Sequence, residues 1–416
     1  MPSFPSSVDD FGVDSSRRTV AQQAFLLGVI SGLMWGLMWG VGRTAYRRAR
    51  GHGAGGTSVG IEDVDDHHGR MRADATGVAA GVTAGATGTH DLMADASPGG
   101  GRDRVVGAVV GAAVGDALGA PFEFAPAGTF SARLPDRRAD GEGDMIGGGA
   151  FDWAPGEFTD DTQMGLALAV SLIRCDGYDP DDVWRRWRTW AATSRDVGNT
   201  IRAALEHDDW REVRHADPEA TAANGALMRA FPLAPATLDN DTVTARLVTL
   251  HQALLTHTHP AAAYGAWLGV AMTRAGILGE DPFGALEQEL AVLTRADAMH
   301  SRRFVAVLAP SWRPGRAEDD DIANGSVWGC LAQAVWALRR HDTYADVVAE
   351  VVELGGDTDT VACVAGAMAG ARAGASTIPP GWRSPVHGVL DTPSGTERYT
   401  AEELGAVALV LAAASG

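Results

Sequence analysis

Beyond residue 103, apolar residues recur at the three- and four-residue spacing of one helix face. The stretch "RVVGAVVGAAVGDALGA" opens this series, and Pro121 interrupts it. Further helical segments are predicted at about 160–175, 181–193, 198–206, 241–256, 260–277, 283–295, 324–340, 343–353, 358–373 and 400–415. Several open on good starters: Asp181 after Pro180, Thr242 after Asp241, Pro260 after His259. No sustained two-residue alternation is seen, and Asn224-Gly225 and Asn324-Gly325 both precede helical runs instead of joining strands. The pattern predicts an all-α body over residues 102–416, near the upper end for one core. The acidic stretch "AEDDDIANG", residues 317–325, reads as a solvated surface insert.

Two other patterns precede the body. Residues 19–42 form a run of 24 without charge, long enough to cross a bilayer. Gly28, Gly32, Gly36 and Gly40 give it a smooth ridge suited to close helix packing. Arg43, Arg47, Arg48 and Arg50 follow, against Arg17 and Arg18 before it, so the C-terminal side is expected in the cytoplasm. Residues 1–50 are therefore expected to be an extension with a transmembrane helix at 19–42, anchoring a cytoplasmic catalytic domain. A peripheral glycine-rich helix and a misassigned start are the other readings, and "SRRT" is only a partial twin-arginine signal. Residues 51–101 are Gly, Ala, Thr and Asp with few large apolar groups, and are expected to be a disordered linker.

Composition changes this picture in two ways. The formal net charge is −19, which argues against nucleic acid as a partner, because phosphate binding needs a basic face. All 34 basic residues are arginine, which reads as a genome-wide or high-salt bias. The three cysteines, Cys175, Cys330 and Cys363, lie in apolar helical surroundings without a CxxC and read as buried thiols.

Candidate chemistry concentrates in two acidic doublets. "EFTDDTQMGLALAVSLI" places Asp160 and Asp161 between Thr159 and Thr162, and "ELGGDTDTVACVAGAMAGARAG" places Asp357 and Asp359 beside Thr358 and Thr360. Each doublet opens a long uncharged helix. One doublet alone would read as helix capping. Two of the same design read as a gathered site. Residues two apart on a helix point about 200° apart, so Asp357 and Asp359 can share a site only from a loop and first turn. Gly355 and Gly356 permit that tight approach. Four carboxylates in one place repel and raise each other's pKa. A hard divalent ion removes that cost, and all-oxygen ligands favour Mg²⁺, Mn²⁺ or Ca²⁺.

With these residues in view, the chain resembles the ADP-ribosylglycohydrolases, the family of the dinitrogenase reductase-activating glycohydrolase. The resemblance covers about residues 103–374. It rests on "GAAVGDALGAPFEF" (111–124), "FTDDTQM" (158–164), "DVGNT" (196–200), "NGALMR" (224–229), "THTHPAA" (256–262) and "LGGDTDTVACVAGAMAGA" (354–371). It implies a compact all-α catalytic domain with a binuclear centre of two divalent cations, Mg²⁺ or Mn²⁺. It implies metal ligation by Thr159, Asp160, Asp161, Asp357, Asp359 and Thr360. Among these, Asp160 and Asp161 are also implied to be catalytic, with Glu123 at the mouth of the site and Asp196 acting on the scissile ribose. Substrate binding is implied for Asn224 and Gly225 at the diphosphate, His257 near the ADP part, and Gly356. Asp116 is expected to hold the first motif in place, and His259 to cap the helix opened by Pro260. Trp328 is bulkier than the pattern, and residues 286–320 align poorly with it, which leaves the acceptor groove open.

The implied reaction is cleavage of the N- or O-glycosidic bond of an ADP-ribosyl group on a protein side chain, with ADP-ribosyl-arginine expected first. Two other readings stand beside it. One is a non-catalytic ADP-ribose-binding or crystallin-like structural protein, which would be expected to lack ligands. The other is a hydrolase of another nucleotide-derived substrate. No P-loop and no G-x-S-x-G is present to support ATP or serine-hydrolase chemistry.

Overall fold

Side-chain oxygens of Asp, Ser and Thr can accept from the orphan N–H groups of a helix's first turn, and such residues open most helices of this chain. The computed structural model describes residues 89–315, 323–393 and 395–414. Its principal helices are α1 (Gly101–Gly119), α2 (Asp160–Arg174), α3 (Pro180–Ala191), α4 (Asn199–Leu205), α5 (Thr242–Leu254) and α6 (Pro260–Leu278). They continue with α7 (Pro282–Ala296), α8 (Ala298–Val307), α9 (Val327–Arg340), α10 (Tyr344–Glu353), α11 (Thr358–Ala373) and α12 (Ala401–Ala414). Asp179 caps α3, Asp241 α5, Asp281 α7, Asp297 α8, Ser326 α9 and Thr343 α10. His259 caps α6 as expected, its Nδ1 accepting from the Ala261 N–H at 3.1 Å. The two helices that carry the acidic doublets differ. At their cap positions, neither Thr159 nor Asp357 makes a side-chain capping bond to the backbone N–H groups of its first turn.

Helices α1 and α11 form the centre, and glycine decides how closely they meet. Gly107, Gly111, Gly115 and Gly119 recur every fourth residue, which lines them along one face of α1. A Cβ on Gly107 would stand 2.2 Å from the Gly370 carbonyl oxygen, on Gly111 2.5 Å from that of Gly366, and on Gly115 2.0 Å from that of Ala362. A Cβ on Gly119 would stand 2.5 Å from the Thr358 carbonyl oxygen. The two backbones are therefore antiparallel and in direct contact, and the end of α1 meets the start of α11. Tyr344 of α10 seals the pair, its hydroxyl donating to the Gly111 carbonyl at 2.7 Å. On the other side, α3 holds α2 with two buried indoles: Trp187 donates to the Met164 carbonyl at 3.1 Å and Trp190 to Gln163 Oε1 at 2.7 Å.

Among the described residues the body is all-α apart from one hairpin that the sequence pattern does not announce, β1 (His387–Thr392) against β2 (Gly395–Thr400). Its strands are six residues each, and Gly388 and Gly395 interrupt the alternation of large side chains. The hairpin positions the first doublet. Phe158 donates its N–H to the His387 carbonyl at 3.0 Å, and His387 donates to the Gly156 carbonyl at 2.9 Å. The chain thus enters Thr159 already extended and held.

Four expectations need correction. The folded body reaches back to the short helix Thr89–Ala94, whose Leu92 and Met93 pack on the core, so the end of the expected linker 51–101 is structured. Asn324, read as part of a solvated insert, is buried. Cys330 and Cys363 are buried as expected, but Cys175 is exposed at the end of α2. Helix α8 was not anticipated between the two segments flanking it. The transmembrane helix expected at 19–42 lies outside the described residues. Among those described, one helical segment is long and apolar enough to span a membrane, Gly101–Phe122, and it is 94% buried inside the body.

Candidate functional site

Asp116, in the last turn of α1, is fully buried and supplies the cap that α2 lacks. Its carboxylate accepts the Thr159 N–H at 3.0 and 3.1 Å, the Thr162 N–H at 3.0 Å and the Thr162 hydroxyl at 2.6 Å. Burial pushes its pKa up to about 6 against the pull of these bonds. With the first turn capped from outside, the side chains of Asp160 and Asp161 are not spent on capping.

Immediately after α1, a single 3₁₀ turn (Ala120–Phe122) leads to Glu123. Phe124 adopts a left-handed φ of 63°, uncommon for a residue with a side chain. Two backbone bonds clamp this loop to the second doublet: the Phe124 N–H to the Gly356 carbonyl at 2.7 Å, and the Gly356 N–H to the Ala125 carbonyl at 2.9 Å. Gly355 and Gly356 have φ of +72° and +75°, and a Cβ on either would stand 2.5 Å from an oxygen, of Ala125 or of Asn324. Only glycine permits this approach. Asp357 then lies outside the helix with φ −86° and ψ 72°, and Asp359 lies in the first turn of α11, the loop-plus-turn arrangement that a shared site requires.

The two doublets meet. Asp161 Oδ2 accepts from the hydroxyls of Thr159 and Thr360, each at 3.3 Å, and so joins residues 199 apart in the chain. The Asn224 amide donates to Asp357 Oδ2 at 2.8 Å and to the Asn324 carbonyl at 3.0 Å. Glu123, Asp196 and Asp359 bring ligating oxygens within 4.8 Å of one another. Taken alone, Asp196 would read as the cap of α4. The cap position is Gly198 instead, and the Asp196 carboxylate belongs to the cluster. Glu123 and Asp196 are half-buried while Asp160, Asp161 and Asp359 are buried, so the cluster opens on the side of the former pair.

The electrostatics follow from this crowding. Burial, then Glu123 and Asp161, hold Asp359 well above the usual carboxylate range. Burial, then Asp196 and Asp116, do the same to Asp160, and burial with Asp116 and Asp160 to Asp161. Asp357 is raised by burial, opposed by its bond from Asn224. Burial and the charges of Asp196 and Asp357 lift Glu123 to about 8, and burial with Asp357 lifts Asp196 to about 6. Among the described residues, two buried oxygens, Asp161 Oδ1 and Glu123 Oε2, have no hydrogen-bond partner. Oxygen donors of this kind, crowded and partly orphaned, fit a hard divalent cation. Burial raises the nearby thiols of Cys330 and Cys363 well above their usual value, so they are protonated and unsuited to a soft metal.

The residues expected to bind substrate stand at different places relative to the carboxylates. Asn224 and Gly356 border the carboxylates, but the Asn224 side chain is engaged with Asp357. Gly225 opens a short buried helix (Gly225–Met228) and leaves room for His257, whose ring a Cβ there would meet at 3.3 Å and which bonds the Thr256 hydroxyl. Asn324 was missed. It accepts the Asp357 N–H at 3.1 Å and donates to the Gly355 carbonyl at 2.9 Å, holding the second doublet's loop from the opposite side. A signal existed, because Ala-Asn-Gly occurs twice, at 223–225 and 323–325, and the two copies pair through the Asn224 N–H and the Gly325 carbonyl at 3.2 Å. Trp328 packs edge-on against His259, with ring centroids 5.6 Å apart, and lies under the Arg303 guanidinium at 4.4 Å.

Comparison with known proteins covers the same body. The model of a family described as ADP-ribosylglycohydrolase matches residues 98–414. The ADP-ribosyl-[dinitrogen reductase] glycohydrolase of Rhodospirillum rubrum is 32% identical over 286 residues, spanning 68% of this chain and 90% of that protein. An ADP-ribosylarginine hydrolase of Pseudomonas putida is 31% identical over 294 residues, 67% of this chain and 73% of that protein. A solved structure titled ADP-ribosylglycohydrolase-related protein complex superposes with a TM-score of 0.60 at 32% identity, covering 76% of this chain and 99% of its own.

Proposed function

The chain belongs to the ADP-ribosylglycohydrolase family and is a glycosidic-bond hydrolase, and from that premise we propose that it releases ADP-ribose from arginine side chains of modified proteins in a metal-dependent reaction. The observation that carries this reading is the junction of the two doublets at Asp161 and Thr360, with Glu123 and Asp196 at its open side. Arginine is favoured as acceptor by the ADP-ribosylarginine hydrolase among the relatives and by the charge of the opening, since the Asp196 carboxylate there attracts a guanidinium.

Thr159, Asp160, Asp161, Asp357, Asp359 and Thr360 would hold two divalent cations, Mg²⁺ or Mn²⁺, which supply Lewis-acid polarisation of ribose oxygens or water when bound. Asp196 stands half-buried at the opening, where its carboxylate takes the proton of the attacking water. The water oxygen bonds the anomeric carbon, the bond to the guanidinium nitrogen breaks, and a proton returns to that nitrogen. Glu123, held by the clamp between Phe124 and Gly356, closes the ribose side of the opening.

The test is release of ADP-ribose from arginine-, serine- and nucleic-acid-linked substrates, with and without chelator. The expected result is release from arginine, lost in chelator, restored by Mg²⁺ or Mn²⁺, and abolished in Asp359→Ala with the helical circular dichroism retained. Full activity in excess chelator removes the metal dependence. Release from serine but not arginine overturns the acceptor.

A further inference from the structure

Arg229 is 0% exposed, yet among the described residues no carboxylate stands within ion-pair distance of it. Its Nε donates to Gln252 Oε1 at 3.0 Å, and its Nη2 to the Gln252 carbonyl at 3.0 Å and to Thr256 Oγ1 at 2.8 Å. Its guanidinium lies 3.8 Å from the Trp187 ring centroid. Gln252 is itself oriented, because its Nε2 donates to the Ala226 carbonyl at 3.0 Å and so turns Oε1 toward Arg229. A buried guanidinium without a counter-charge is a costly feature, and its shortest hydrogen bond, 2.8 Å, is to the Thr256 hydroxyl.

That hydroxyl sits 2.8 Å from His257 Nδ1. Thr256 is fully buried, and its one hydroxyl proton needs an acceptor. Were the His257 proton on Nδ1, Arg229 and His257 would both donate to Thr256 Oγ1, and the Thr256 proton would be stranded. The consistent arrangement is a relay in which Arg229 donates to Thr256 and Thr256 donates to His257 Nδ1. Burial, then the Arg229 charge, also keep the ring neutral, so it carries one proton. That proton is on Nε2, which is buried and has no partner among the described residues. His257 Cε1 and Nε2 both lie 3.3 Å from where a Cβ on Gly225 would be.

We infer that Arg229 and Thr256 are positioning residues that lock His257 as the Nε2–H tautomer, placing a neutral hydrogen-bond donor beside Gly225 for an oxygen of the bound ADP-ribosyl group. The lock rests on the relay alone. Its use in binding rests on the hydrolase reading above. A histidine that could invert its tautomer would present a lone pair to that oxygen in part of the population. The relay removes this state.

The experiment is nitrogen-15 NMR of the imidazole rings in the full chain, the His257 signals being identified by their loss in His257→Gln. Calorimetry with ADP-ribose is run in parallel. In the wild type, Nε2 is expected to be protonated and Nδ1 bare. Thr256→Val, nearly isosteric, is expected to mix the tautomers and to weaken ADP-ribose in proportion, by about twofold where the two are equally populated. Thr256→Ser is expected to restore both. A wild-type proton on Nδ1 overturns the lock. A mixed tautomer in Thr256→Val with unchanged affinity overturns its role in binding. Absence of ADP-ribose binding by the wild type sinks the hydrolase reading instead, and leaves the tautomer result standing.

Discussion

Asp116 shows how much one side chain can organise. It lies on α1, caps α2, and accepts only from donors, so its function needs two acceptor oxygens. Asp116→Asn replaces one oxygen with a donor that faces other donors. Losing such bonds to a buried charge costs about 1.5–3 kcal/mol each. The variant is expected to unfold at lower denaturant concentration by about 2 kcal/mol or more, and to lose activity beyond that, because Asp160 and Asp161 start the helix it caps. Chemical denaturation and turnover of ADP-ribosyl-arginine check the two effects. Retained turnover in a destabilised protein would show that the doublet does not depend on this cap.

At the level of elements, the glycine ridge of α1 decides whether the site can assemble. Both sides of the α1–α11 contact are backbone, so neither can yield to a larger side chain. A Cβ on Gly115 would stand 2.0 Å from the Ala362 carbonyl oxygen and 2.5 Å from its carbon. Gly115→Ala is therefore expected to cost at least about 2 kcal/mol, despite alanine's better helix propensity. Gly198→Ala meets only Ile201 Cδ1, at 3.9 Å, and is expected to cost less than about 1 kcal/mol. Denaturant midpoints of the two variants test the contrast. Equal midpoints would mean that α1 and α11 can separate at little cost.

For the whole molecule, the gathered carboxylates make stability depend on pH and, on the metal-dependent reading proposed above, on cations. A raised native pKa means that the folded state keeps protons which the unfolded chain has already released. Stability from such a group is complete below the unfolded value near 4 and is lost as pH rises through the folded value. For Asp116 and Asp196 that is about 6, and for Glu123 about 8. The buried His251, lowered to about 4, acts in the opposite sense, but its contribution is complete above about 6.5. Between pH 6.5 and pH 8 the loss from Glu123, in the same sense as any from the raised Asp160, Asp161 and Asp359, should therefore show without interference from His251. The melting temperature in chelator is expected to fall across that window, and Mn²⁺ to raise it most at pH 8, since a cation replaces the proton. A flat profile in both conditions would mean that the cluster binds no cation.

Several features of this chain were determined by residues close together in sequence. Helix positions at 160, 260 and 358 followed from apolar spacing and from starters such as Asp, Thr and Pro, because hydrogen bonding within a helix spans only four residues. The doublets were legible for the same reason, and so was the need for Asp357 to leave the helix. The tertiary structure alone decided which groups meet. Asp161 and Thr360 are 199 residues apart, and no local pattern marks that contact. Asp196 has the look of a helix cap and becomes part of the cluster only because Gly198 takes the cap position. Asn324 sits at the end of an acidic stretch that reads as solvent-facing, and is buried because the Gly355–Gly356 turn has no Cβ to exclude it. The hairpin at 387–400 needed Phe158 beside it. Local propensity places the elements, and the order in which carboxylates face one another is set by close packing of α1 on α11, which joins chain segments that do not interact until the protein is folded.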